Sequence, residues 1–125
     1  MLTKLEIRET RETPYILLDK EKNIFKIEGN SLPENANHFF LPIFKWLDKY
    51  SLSPNKETHL ICDLEYFNSS SAKLIYEIFL KLEKIKTNET KVWISWFFES
   101  GDVLIEEKGL EYKSILYIPM EIVEK

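Results

Sequence analysis

A mixed α/β sheet is the fold class this sequence predicts, and three observations carry it. From residue 59 onward, strand-like and helix-like stretches alternate, the order that builds parallel strands joined by helical crossovers. The two stretch types differ in period: apolar residues recur every second position in one and every third or fourth in the other. Hydrophobic residues make up 44% of 125 residues, enough for one core, so the expectation is a single domain over residues 1–125. The pattern predicts about five to six strands, two long helices and one short helix.

Taken in order, Leu2 to Arg8 alternates Leu2, Leu5 and Ile7 with polar residues and reads as a first strand. Tyr15 to Leu18 and Ile24 to Ile27 flank the polar turn "DKEKN", so residues 14 to 28 read as a hairpin that stops at Gly29. Ser31 and Glu34 have capping-box spacing and Pro33 suits a first helical turn. Phe39, Phe40, Ile43, Phe44 and Leu47 then follow at helical spacing, with Pro42 predicted either to kink the helix or to mark a second start. His59 to Phe67 is a strand with Leu60, Cys62 and Leu64 on its apolar face. Residues 70 to 86 make the strongest helical pattern, with Leu74, Ile75, Ile78, Phe79, Leu82 and Ile85 on one side. Val92 to Phe98, "VWISWFF", is a strand apolar on both faces. Such a strand either lies covered on both sides or contributes to an exposed aromatic patch of Tyr66, Phe67, Trp93, Trp96, Phe97 and Phe98 for a protein partner. A short helix over Asp102 to Lys108, ended by Gly109, and a last strand over Ser114 to Ile118, stopped by Pro119, complete the chain.

Charge narrows the function. A net charge of -4 disfavours nucleic acid, which needs a positive field, and equally a polybasic membrane surface. No run approaches the roughly 18 apolar residues of a membrane span, so no membrane insertion is expected. The opening "MLTKLEIRETRETP" has no apolar centre and predicts no signal peptide. Cys62 is the one cysteine, which excludes an internal disulfide and fits a reducing cytoplasm. It has no neighbour at metal-ligand spacing and reads as a core thiol.

The segment "YFNSSSAK", residues 66 to 73, places Asn68, Ser69, Ser70 and Ser71 where a strand gives way to a helix. Ligands and modifiable groups gather at such junctions in open α/β sheets. Asn and Ser there also cap the helix by accepting from its free N–H groups. A nucleophilic serine needs a base. Of the two histidines, His38 lies in the first helical segment and His59 at the far end of the same strand, about 25–30 Å away at 3.3 Å per residue, so serine hydrolysis is not expected. A second set is acidic: Asp63, Glu65, Glu99, Asp102, Glu106 and Glu107. Its carboxylates read either as a solvated rim or as the Mg²⁺ site of a small hydrolase or phosphotransferase using Asp63, Glu65 and Asp102.

Three ordered motifs sharpen the reading. Gly29 with Ser31-Leu32-Pro33-Glu34-Asn35, then Leu64-Glu65-Tyr66-Phe67-Asn68 with its serines, then Trp96 with Asp102 and Gly109, together resemble the SiaC family of bacterial regulatory phosphoproteins over about residues 25 to 119. The resemblance implies a STAS-like fold, as in anti-sigma-factor antagonists, and a non-enzymatic switch in a partner-switching pathway with no cofactor. It implies a Ser/Thr kinase that phosphorylates the chain and a PP2C-type phosphatase that reverses it. It also implies an effector partner, which in the best-known branch is a diguanylate cyclase activated by the unphosphorylated form, raising cyclic di-GMP and promoting biofilm. The family's phosphoacceptor follows the asparagine of the second motif and corresponds to Ser69, where the family usually has threonine. Ser70 is the second choice. The partner surface implied is Glu65, Tyr66, Asn68, Ser69, Ser70 and Ser71 with Pro33, Glu34 and Asn35.

Overall fold

The computed structural model describes residues 2–125. Their order is β1 (Leu5–Ile7), β2 (Tyr15–Asp19), β3 (Ile24–Ser31), α1 (Ala36–Tyr50), β4 (Glu57–Phe67), α2 (Ser69–Ile85), β5 (Lys91–Phe98), α3 (Val103–Ile115) and β6 (Met120–Glu124). The strands form one six-stranded sheet in chain order. β1, β2 and β3 pair antiparallel, and β3 through β6 pair parallel.

Parallel neighbours in chain order need crossovers of one hand, which puts their helices on one face of the sheet. The packing shows this. Phe25, Leu60, Ile94 and Met120 stand side by side in register and are all buried. On that face Trp46 and Tyr50 of α1 meet Phe25. Phe79 of α2 and Tyr112 of α3 meet Trp96. Among the described residues no helix covers the opposite face, and Trp93 and Phe97 are only half-buried there. Of the two readings of β5, full cover on both sides is therefore not the one observed.

Four boundaries differ from the pattern. β3 does not stop at Gly29, which takes φ +107, but runs on to Ser31. Ser31 is thus a buried strand residue, and Asn35 caps α1 by accepting from the His38 N–H. α1 runs unbroken through Pro42, which forfeits only the bond to the His38 carbonyl. The expected short helix is 13 residues long and passes through Gly109. A Cβ there would collide with the Trp96 indole, so the glycine is a notch for the indole and not a helix stop. Beyond it, Tyr112 packs on Trp96 and its hydroxyl donates to the Ala72 carbonyl (2.7 Å), which carries the helix onward. Ser114 and Ile115 consequently stay helical, and the last strand begins only after Pro119.

Candidate functional site

All three helices start at the same edge of the sheet, where β3, β4 and β5 end. The end of β4 is reshaped by a bulge. Gly29 pairs with Leu64 but Asn30 pairs with Tyr66, leaving Glu65 as the extra residue. A bulge moves every later side chain to the other face. Strict alternation would place Tyr66 beside Leu60, Cys62 and Leu64 in the core. Instead Glu65 and Tyr66 both point outward, Tyr66 48% exposed, and Phe67 turns into the core at 8%.

Phe67 then anchors the junction by packing on Trp96. Asn68 keeps extended backbone, donates its N–H to the Ser31 carbonyl (3.1 Å), and accepts the Ser71 N–H on its side chain (2.9 Å). Asn68 is therefore the cap of α2, and Ser69, Ser70 and Ser71 fill its first turn. The three hydroxyls part ways. Ser71 is wholly buried and accepts from Ser31 Oγ at 2.8 Å, tying the helix start to β3. Ser69 and Ser70 are exposed.

The start of α1 lies across from them. A groove of about 600 Å³ is lined by Glu34, Asn35, Ala36 and Asn37 on one side. Ser69, Ser70, Lys73 and Leu74 line the other. The packing of α1 on α2, which includes an ion pair from Lys81 to Asp48 (2.7 Å), holds the two helix starts side by side. Each helix N-terminus carries about half a positive charge. Lys73 stands one turn beyond Ser69 and Ser70 on the same helix. Among the described residues, Glu34 is the one carboxylate lining the groove.

A sequence model of the SiaC family regulatory phosphoproteins matches residues 7–125. The chain belongs to the SiaC family. It is a regulatory protein, not an enzyme. Crystalline apo-SiaC of Pseudomonas aeruginosa shares its fold at a TM-score of 0.86, with 26% identity over 95% of this chain and 97% of that one. A chain in the crystal structure of the Pseudomonas aeruginosa diguanylate cyclase SiaD in complex with its activator SiaC superposes at a TM-score of 0.87. That match has 24% identity and covers 97% of this chain and 99% of the other. An uncharacterised protein of Pseudomonas aeruginosa strain UCBPP-PA14 is 25% identical over 121 residues, 97% of this chain and 96% of its own length.

Of the SiaC-family residues expected from sequence, Glu34, Asn35, Ser69 and Ser70 line one groove, while Glu65 and Tyr66 are exposed on the adjoining strand end. Pro33 and Asn68 are half-buried beside it. Ser71 has no exposed surface to offer. Ala36, Asn37, Lys73 and Leu74 were missed by sequence reading. Only Lys73 carries a local signal, its place one turn after the serines. Three of the acidic set are engaged in other contacts. Asp63 is paired with Lys125 (2.7 Å), Asp102 caps α3 through the Ile105 N–H, and Glu99 also meets Lys125. No three of these side chains are placed to share a metal among the described residues. His59 is at the start of β4 with Nε2 on Ser95 Oγ (2.7 Å), remote from the serines. Cys62 is fully buried, which pushes its thiol pKa far up and keeps it protonated. No helix among the described residues is long and apolar enough to cross a membrane.

Proposed function

We propose that this chain is a cytoplasmic, phosphorylation-controlled regulator whose partner is a diguanylate cyclase, as SiaD is for SiaC in the solved complex. A Ser/Thr kinase transfers the terminal phosphoryl group of a nucleoside triphosphate to Ser69 Oγ, displacing the hydroxyl proton. A PP2C-type phosphatase hydrolyses the ester. The unphosphorylated form binds and activates the cyclase, raising cyclic di-GMP and favouring biofilm. The observation that carries this reading is the division of labour at the start of α2. Asn68 caps, Ser71 packs, and Ser69 is left exposed at the first helical position with no structural duty.

The physics favours a switch without unfolding. A phosphate adds about -1.5 to -2 charges. Two helix N-termini and Lys73 face it, which stabilises it by about 0.3–1 kcal/mol per helix end, less what Glu34 repels. A partner covering the same groove would have to desolvate the dianion, at a cost of several kcal/mol. Since each 1.4 kcal/mol is tenfold in affinity, the partner term dominates and the complex dissociates while the fold stands.

The test has two arms. Phosphorylation by the cognate kinase followed by peptide mass spectrometry is expected to place phosphate on Ser69, with Ser70 as the minor site. Phosphate confined to residues outside 69–71 overturns the assignment. Pull-downs with wild type, Ser69→Ala and Ser69→Asp are expected to retain the cyclase on the first two only.

A further inference from the structure

A second cleft of about 600 Å³ opens at the opposite edge of the sheet, where the parallel strands begin. Its floor is apolar: Val92, Trp93, Pro119 and Met120. It exists because two neighbouring strands start at different heights. β5 begins at Lys91, but β6 begins at Met120, which pairs with Ile94. Lys91 to Trp93 therefore pair with β4 alone.

The open side of that segment carries backbone groups. The Lys91 N–H donates toward β4, to the Lys56 carbonyl (2.8 Å). The Ile94 N–H donates toward β6, to the Pro119 carbonyl (3.0 Å). Successive residues of a strand point to alternate neighbours. Val92 thus shares the orientation of Ile94 and aims its N–H and C=O into the cleft. Pro119 has no N–H to offer the Val92 carbonyl. Trp93 is a pre-ordered wall, because His59 stacks on its ring at 4.6 Å and 16°.

The rim is cationic. Lys86, Lys91 and Lys113 line the cleft, and none has a carboxylate within 4.0 Å among the described residues. Two carboxylates also line it. Glu121 accepts from the Ser95 hydroxyl and Glu57 has no cation beside it among the described residues, so the three lysines leave the lining one positive charge in excess. Lys86 and Lys113 stand at the C-terminal ends of α2 and α3, where the helix dipole favours cations. That accounts for the position of two lysines. It does not account for an apolar floor left open between them.

We propose that this cleft binds a small amphipathic organic anion. Its flat apolar body lies against Trp93, Pro119 and Met120. Its carboxylate, sulfonate or phosphate sits among the three lysines and accepts from the Val92 N–H. The volume suits one such molecule, since ligand sites run from about 300 to 1,000 Å³. The site is at the other edge of the sheet from Ser69, so it stands or falls independently of the phosphorylation reading.

The probe is 8-anilinonaphthalene-1-sulfonate, titrated into the full chain and followed by amide and indole chemical shifts. N-phenyl-1-naphthylamine serves as the uncharged counterpart. Saturable shifts centred on Val92, the Trp93 indole and Met120 are expected. Lys86→Glu with Lys113→Glu, both at exposed positions, is expected to weaken the sulfonate about tenfold and to leave the neutral amine within about twofold. Ser69→Asp is expected to change neither. Shifts that fail to saturate, that scatter over the surface or that centre on the serine groove overturn the proposal. So does a sulfonate affinity unmoved by the double charge reversal in a variant whose spectrum shows an intact fold.

Discussion

The starts of α1 and α2 are built alike and used differently. Each is capped by an asparagine whose side chain accepts the N–H three residues on, at 3.0 Å for Asn35 and 2.9 Å for Asn68. Each follows a parallel strand and opens into the same groove. After the cap, α1 continues Ala36-Asn37-His38 and α2 continues Ser69-Ser70-Ser71. Capping therefore explains neither Ser69 nor Ser70, because α1 caps equally well without a hydroxyl at either place. The comparison separates a serine needed for structure from serines free for chemistry.

The largest effect that sharpens this contrast is expected at Ser71. Ser71→Val leaves the buried Ser31 hydroxyl without its acceptor and should cost about 1–3 kcal/mol, read by urea unfolding. The same change at Ser69 should cost less than about 0.5 kcal/mol. Equal losses at the two positions would break the division between them. Next come the caps: Asn68→Ala and Asn35→Ala should each cost about 1 kcal/mol, roughly 4 °C in Tm for a chain of this size. A much greater loss for Asn68 alone would mean that its N–H bond to the Ser31 carbonyl does more than cap. Smaller still, Ser69→Asp should raise stability by about 0.3–1 kcal/mol through the helix dipole, in low salt and less in high salt.

A last and smallest effect lies away from both helices. Partial burial of His59 holds its pKa below the ordinary value, against the opposing pull of Glu121. Its folded pKa is depressed, so its neutral form contributes stability that is complete above about pH 6.5 and fades as pH falls through the lower folded value. His59→Gln should flatten that acid-side slope in a pH series of melting temperatures.

Much of this was legible along the chain. The hairpin, the strand over residues 59–67, the long second helix and the parallel pairing of β4 with β5 follow from period and order, because a half-buried element must repeat its apolar residues at its own pitch. The serine junction was legible too, since Asn before a helical pattern reads as a cap. Gly109 was not. As a local signal it stops a helix, and only the Trp96 indole lying where its Cβ would be shows it as a packing notch. Nor was the outward turn of Tyr66, since one extra residue at Glu65 reverses the alternation that a pattern extrapolates.

By itself the sequence determined the fold class and most of the element types, because local propensity and periodicity are properties of neighbouring residues, while Ser69 was singled out among the serines by the family resemblance. Tertiary structure decided which residues share the groove. Residues 34–37 and 69–74 are joined only by the packing of α1 on α2. It also decided that Ser71 is buried while Ser69 is free, since that depends on where Ser31 of β3 comes to rest, 40 positions away. Contacts between distant segments are set by how the elements pack, and no local pattern carries that information.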